Sequence, residues 1–389
     1  VTKKSGKIFQ AAVESVAFGG SGVARLDGMA AFIPFTVDGD VVEAGTRVVK
    51  KRHLIARLKR IITPSPHRTG PRCRYFGRCG GCQYQHIEYG HQLEIKQRQV
   101  EDALRRIGGF ADAPVRPVIG SPQPYSYRGK AEFHVSFDKG EFCAGFFDLS
   151  GARVLDIERC EIVDESINES YAEYRKSLLE GDRPRLDRFA IWSGSPGGRD
   201  DVVSRQIKGR AFQVPAAGFF QGNIFLTGAL VDTVMEAADC NGSDSVLDLY
   251  CGSGLFSVFL AGCGARVSGI EIDAAAVECA RANARAAGLD QAEFREGQVE
   301  ECLESLHPQA FSVIVLDPPR AGCDKGVLSA VAALKPEKIV YISCDPATQA
   351  RDMRVLIDRG FTLKYVQPLD MFPQTKHIET VALLKSRVD

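Results

Sequence analysis

No stretch of this 389-residue chain approaches the roughly 18 uninterrupted apolar residues that a membrane-crossing helix requires. Nor does an apolar core follow the basic N-terminal residues as a secretory leader would demand, so no membrane partner and a cytoplasmic location are expected. Net charge is missing as well, because 49 Lys and Arg meet 49 Asp and Glu. Internal repeats and low-complexity tracts are absent, which removes solenoids and compositionally biased tails from consideration.

What is there is unevenly spread. Residues 1 to 110 carry 19 Lys and Arg against 9 Asp and Glu, leaving 30 against 40 for the remainder. A basic block of this kind favours a polyanion, so nucleic acid held from the N-terminal side is the expectation, and a solvated basic face is the plain alternative. Twelve cysteines in a reducing compartment are poor disulfide formers, so metal binding or catalysis is expected of the clustered ones. The length predicts two or three domains, each able to bury its own core. Oligomeric state is silent in the sequence, and a monomer is the default.

Texture changes twice along the chain. Residues 5–62 alternate apolar and polar positions in short runs broken by Gly-rich turns, as in Gly19-Gly20-Ser21-Gly22, and predict a small barrel of antiparallel strands over residues 1–62. Its last stretch ends in a basic cluster, Lys50-Lys51-Arg52-His53, with Arg57, Lys59 and Arg60 beyond. Pro64, Pro66 and Pro71 mark a linker into a mixed α+β central segment, residues 63–218. Within it, residues 91–107 place Leu93, Val100, Leu104 and Ile107 on one helical face that could pack on the catalytic domain, with Gly108-Gly109 as the stop. Strands are expected at 130–137 and 142–147. From about residue 226 strands alternate with helices, which predicts a parallel, doubly wound Rossmann-like α/β domain over 219–389.

Chemistry-bearing motifs concentrate in that last domain. Asp248-Leu249-Tyr250-Cys251-Gly252-Ser253-Gly254 follows a strand, and Gly252 and Gly254 let the backbone approach a nucleoside while Glu271, at the next strand's end, can accept ribose hydroxyls. The glycine spacing favours S-adenosyl-L-methionine over a dinucleotide. Asp317-Pro318-Pro319-Arg320 ends another strand and holds an acid in the cleft, suited either to a base N–H or to amino-group methylation. Cys344, in Ile342-Ser343-Cys344-Asp345-Pro346, and Glu379, in Thr375-Lys376-His377-Ile378-Glu379-Thr380, supply a candidate thiol nucleophile and a candidate general base. A thiol argues for methylation at a pyrimidine ring carbon, since an exocyclic nitrogen needs none. Phe219-Phe220-Gln221-Gly222-Asn223 could stack on a base and hydrogen-bond its edge, or form a packed junction. Further upstream, Cys73, Cys79 and Cys82 lie among glycines as three close thiolates, with Cys160 the best fourth ligand and Cys143 the runner-up; spacing leaves zinc and iron–sulfur both open. The remaining cysteines of the last domain read as core filler.

Taken together, these segments resemble the RNA uracil-5-methyltransferase family, whose members make 5-methyluridine in 23S rRNA or tRNA. The resemblance spans nearly the whole chain and implies a TRAM-like RNA-binding barrel from Gly6 to Ile62. It also implies a 4Fe–4S cluster held by Cys73, Cys79, Cys82 and Cys160, and a methyltransferase domain using S-adenosyl-L-methionine. By the same resemblance Cys344 matches the nucleophile and Glu379 the general base, while Gln221, Tyr250, Glu271 and Asp317 match positions that bind cofactor or target base. Gln298 falls where relatives often carry an acid or amide near the adenine. The alternatives are a non-catalytic RNA-binding protein and an amino-group methyltransferase, both of which leave Cys344 without a role.

Overall fold

A computed structural model describes residues 6–138, 141–180, 187–194 and 201–387; the first five residues of the 1–62 segment and the last two of the 219–389 segment lie outside it. Five strands, β1 (Ile8–Val16), β2 (Ser21–Leu26), β3 (Met29–Pro34), β4 (Val41–Val49) and β5 (His53–Thr63), form a closed barrel in the order β1-β2-β3-β5-β4. Inward positions alternate along each strand: Phe9, Val13, Ala24, Ala31, Ile33, Val42, Ala44, Leu54 and Ala56 make its core. Between β2 and β3 the two-residue turn Asp27-Gly28 has φ of 50° and 79°, as a tight hairpin requires. The barrel is not wholly antiparallel, because β3 and β5 run parallel. An odd number of strands cannot alternate in direction all the way round a closed ring, so one parallel pair is unavoidable.

Helix α1 (Tyr89–Arg106) buries His91, Gln92, Ile95, Lys96, Gln99, Val100 and Leu104. The expected apolar face is therefore rotated: Ile107 lies past the helix and is 50% exposed, and four polar side chains are buried in its place. Val100 and Leu104 join the core formed by the helices and strands of the last domain. A second sheet follows, ordered β8-β7-β6-β9, from β6 (Lys130–Asp138), β7 (Glu141–Phe147), β8 (Val154–Asp156) and β9 (Arg188–Trp192). Helix α2 (Glu165–Leu179), capped by Asp164, lays Tyr171 flat on Phe133 with ring centroids 4.0 Å apart. A hairpin of β10 (Val202–Ile207) and β11 (Arg210–Pro215) then leads to α3 (Thr227–Ala238).

The remaining chain alternates β12 (Ser245–Leu249), α4 (Leu255–Gly262), β13 (Arg266–Glu271), α5 (Ala274–Ala286), β14 (Ala292–Glu296), α6 (Val299–Leu303), β15 (Val313–Leu316), α7 (Lys325–Ala333), β16 (Lys338–Ser343), α8 (Pro346–Ile357), β17 (Phe361–Leu369) and β18 (Glu379–Ser386). Its seven-stranded sheet has the order β14-β13-β12-β15-β16-β18-β17. Strands β14 to β16 are parallel, as expected, but β18 pairs antiparallel with both β16 and β17. No helix separates β17 from β18, so the chain turns straight back into the sheet. Successive residues feed opposite faces: Val246, Val315 and Val340 pack on one side, Leu247, Leu316 and Tyr341 on the other. Chain order reverses between β12 and β15, which opens a crevice at the carboxyl ends of those strands. Across the outer layer, α1 packs on α8.

Candidate active site

The carboxyl edge of the sheet collects the candidate residues in a row. At the end of β12, Tyr250, Gly252 and Gly254 all have left-handed backbone, with φ of 64°, 53° and 77°. For a tyrosine that conformation is unfavourable, and Tyr250 packs half-buried against the core below it. A Cβ placed on Gly252 would meet nothing within 4 Å, whereas one on Gly254 would press on Ala280 at 3.1 Å and Phe294 at 3.3 Å. Gly252 thus lines open space, and Gly254 lets α4 close on α5. Glu271, at the end of β13, accepts hydrogen bonds from the Gly252 N–H at 3.0 Å, Ile272 N–H at 2.8 Å and Asp273 N–H at 2.9 Å. These bonds tie Glu271 to the glycine loop. Gln298 caps α6 through its backbone only, with an exposed side chain. The preceding Gly297 N–H donates to the Glu271 carbonyl at 2.9 Å, so Gln298 stands beside Glu271.

Further along, Asp317 follows β15, Cys344 follows β16, and Glu379 opens β18. Ser343 pairs with Thr380 in the β16/β18 ladder, so the next step of the same register puts Cys344 across from Glu379. Glu379 is 5% exposed and Cys344 half-buried. Burial, the Glu379 charge and Asp317 push the Cys344 thiol up to about 11, while the Arg320 guanidinium, through its charge and a hydrogen bond to the sulfur, pulls it down. Glu379 is itself held well above the usual carboxylate range by burial and by Asp317, again opposed by Arg320. Asp317 is raised by burial and by the Asp248 carboxylate. Asp248, fully buried, is pushed up to about 7. It accepts from the Ser257 hydroxyl at 2.5 Å, while its other oxygen has no partner. Four acids with one guanidinium among them form a crevice that welcomes positive charge. Arg320 was legible only as a motif letter, because the loop after β15 meets the loop after β16 in space and not in sequence.

Gln221 is half-buried beside Gly222, whose carbonyl accepts from the Gly129 N–H at 2.9 Å. The aromatic-amide run divides its labour. Asn223 is buried, closes the turn just before α3 by accepting from the Phe225 and Leu226 N–H groups at 3.0 Å, and donates to Ser121. Phe220 is core, and Phe219 stands 76% exposed.

Cys73, Cys79, Cys82 and Cys160 line one cavity of about 480 Å³ together with Gly80, Gly81 and Glu161. Cys160, not Cys143, brings the fourth sulfur there. The backbone around it is fixed: the Cys73 N–H donates to Gln85 at 2.9 Å and the Cys160 N–H to Asn168 at 2.9 Å. Burial raises all four thiols, each further raised by a neighbouring sulfur or acid. Among the described residues, no three His, Cys, Asp or Glu side chains converge closely enough to hold a single metal ion.

Residues 200–387 match the family described as tRNA (Uracil-5-)-methyltransferase. Over nearly the whole chain, similarity extends to uncharacterized RNA methyltransferases of Halalkalibacterium halodurans, 33% identical with 97% of each chain covered, and of Gloeobacter violaceus, 34% identical with 96% of this chain and 95% of that one covered. In fold, the chain is similar to the crystal structure of Pyrococcus abyssi tRNA (uracil-54, C5)-methyltransferase in complex with S-adenosyl-L-homocysteine, with TM-score 0.75, 24% identity and 97% and 100% of the two chains covered. The chain belongs to the tRNA (uracil-5-)-methyltransferase family and is an RNA methyltransferase.

Proposed function

We propose that the protein methylates carbon 5 of a uridine in RNA, using S-adenosyl-L-methionine as methyl donor and Cys344 as covalent catalyst. The observation that carries this reading is the placement of a thiol and a buried carboxylate on facing strands, with the Arg320 guanidinium acting to lower the thiol. Carbon 5 of uracil is a weak nucleophile. Addition of the Cys344 thiolate to carbon 6 converts the ring to an enolate, and carbon 5 then attacks the sulfonium methyl, whose bond to sulfur breaks and leaves S-adenosyl-L-homocysteine. Glu379 removes the proton left on carbon 5, the C–H electrons restore the ring double bond, and the carbon–sulfur bond breaks to return the thiolate. Arg320 favours the thiolate at the first and last steps. Glu379 needs a raised proton affinity to act as base near neutrality, and its burial supplies this.

In the crevice, Tyr250, Gly252, Gly254, Glu271 and Gln298 stand where a nucleoside would lie, and the neighbouring acids favour a sulfonium. That is the support for S-adenosyl-L-methionine. Gln221 and Asp317 are assigned to the same cofactor site. A base must leave its stack to reach Cys344, at a cost of a few kcal/mol. Phosphate contacts can offset it: Arg47, Arg57 and Lys59 line a groove of about 1070 Å³ between the barrel and Gly77, Gln83 and Leu149. We assign residues 1–62 as a TRAM-like RNA-binding barrel, 63–218 as the central domain and 219–389 as the methyltransferase domain of a cytoplasmic monomer. Cys73, Cys79, Cys82 and Cys160 would hold a 4Fe–4S cluster. The cycle above consumes no electrons, so the cluster's contribution is to structure or RNA docking.

The test is covalent trapping. Carbon 5 of 5-fluorouridine carries no removable proton, so RNA containing it stalls after methyl transfer. With S-adenosyl-L-methionine the intact protein should yield a denaturation-resistant RNA adduct, and Cys344→Ala none; a protein that binds the RNA but never forms the adduct would point to an amino-group methyltransferase or a catalytically silent RNA binder. Mapping 5-methyluridine in a deletion strain distinguishes tRNA from 23S rRNA.

A further inference from the structure

Glu379 is delivered by the loop that joins β17 to β18, and this loop is held almost entirely from outside the methyltransferase sheet. Gln374, at its centre, is 2% exposed and has φ of 68°, a left-handed backbone unfavourable for a side-chain-bearing residue. Its carbonyl, its backbone N–H and its side-chain oxygen are all bonded to the central segment. Its carbonyl accepts from the Gln83 and Tyr84 N–H groups at 3.0 and 2.9 Å. Its N–H donates to Gln92 Oε1 at 3.1 Å, and its side-chain oxygen accepts from Gln92 Nε2 at 3.0 Å. Two residues on, the Lys376 N–H donates to Gln83 Oε1 at 3.1 Å. Gln83 is tethered in turn, its amide donating to the Gly80 carbonyl at 2.9 Å. It directly follows Cys82.

From this we infer that Gln83 and Gln92 are positioning residues for the general base: by clamping Gln374 and Lys376 they fix the loop that sets the Glu379 carboxylate opposite Cys344. The inference rests on the uracil-5 reading and deepens it. It also gives the cysteine-lined segment a mechanical role, since residues 80–84 are the strut on which the base loop leans. Thiol addition and methyl transfer precede the action of Glu379. A slack loop therefore slows only the removal of the carbon-5 proton, and the enzyme stays bonded to a methylated ring that it cannot release.

The experiment compares the intact protein with Gln83→Ala, Gln92→Met and Gln83→Glu on ordinary uridine RNA. Three quantities are read: steady-state turnover, the single-turnover rate of methyl transfer to enzyme-bound RNA, and the fraction of enzyme covalently attached to RNA in a denaturing gel. A positioned base contributes about 10²–10⁴-fold, so partial misplacement in Gln83→Ala should lower turnover about tenfold. Methyl transfer should stay within about twofold, and a methylated covalent complex should build up. Gln83→Glu keeps the acceptor for the Lys376 N–H but loses the donor to the Gly80 carbonyl, so it should restore turnover in part. Gln92→Met, which lies in α1 away from the cysteines, should trap the same complex and stands in if Gln83→Ala does not fold. Unchanged turnover in Gln83→Ala and Gln92→Met, or turnover falling in step with methyl transfer, overturns the inference, as does Gln83→Glu behaving like the alanine variant. These outcomes are read on an intact protein already shown to form the 5-fluorouridine adduct, whose absence would instead remove the uracil-5 reading itself.

Discussion

Replacing Arg320 with Gln tests the electrostatics of the nucleophile most directly. The guanidinium is the one group that pulls the Cys344 thiol down against burial, Glu379 and Asp317. A charge-assisted hydrogen bond is worth about 1.5–3 kcal/mol, and Arg320 is exposed to solvent, so the lower end applies after screening. About 1.4 kcal/mol is one pKa unit. Arg320→Gln should therefore leave roughly tenfold less thiolate at any pH below the thiol's pKa. A more basic thiolate is also more nucleophilic, with a Brønsted coefficient near ~0.45, which returns about threefold. The net expectation is a reaction about threefold slower with a small neutral aromatic disulfide, followed at Cys344 by peptide mass spectrometry. For both proteins the rate should climb about tenfold per pH unit from pH 7 to 9, because the thiol titrates near 11. Equal or faster modification in Arg320→Gln would refute the assignment of Arg320 as thiolate partner.

Glu379→Gln should move the same assay the other way, because it deletes the largest charge opposing the thiolate, while turnover on RNA is lost; slower disulfide reaction would contradict the assigned coupling. Asp248 has a folded-state pKa near 7, above its unfolded value of about 3.9, so it contributes stability below about pH 4 that is lost as pH rises to about 7. Asp248→Asn should accordingly gain thermal stability relative to the parent at pH 8 and not at pH 4, and a pH-independent difference would count against the raised pKa. Lys96 and Asp370 form a fully buried ion pair at 2.5 Å. Lys96→Met strands the carboxylate and should cost about 3–5 kcal/mol in urea unfolding, with much of it recovered in Lys96→Met/Asp370→Leu; additive losses would mean the pair acts independently. Anaerobic preparations should be brown with stoichiometric iron and sulfide, and Cys160→Ala should bleach them; a colourless protein carrying only zinc would overturn the cluster assignment.

How far the sequence could be read depended on how local each interaction was. Strand–loop–helix punctuation made β12, β15 and β16 visible, and with them the glycine loop, Asp317 and Cys344, since these residues sit where a strand ends. Glu379 was found from the company of Cys344, although the reversal of β18 was not foreseen. Pattern reading placed Val100 and Leu104 correctly but missed the rest of the buried face of α1, because it counts Gln92, Lys96 and Gln99 as solvent-seeking. All three are buried with partners outside the helix, at Gln374, Asp370, Val16 and Tyr84. The Gln83–Lys376 contact spans 293 positions, and no local signal announces it. Barrel strands were legible from alternation, but closure and its parallel pair are properties of the ring.

The ladder between β16 and β18 has one more consequence. Thiol and acid face each other because peptide groups, not side chains, set the spacing, so the proposed catalytic pair is measured out by a ruler of main-chain hydrogen bonds from Lys338 to Thr380. Side chains along that ruler can drift among apolar types without disturbing the interval. Removing a single residue from β18 would do what few point substitutions can: it would turn the acid towards the opposite surface of the sheet while leaving both functional groups present in the chain.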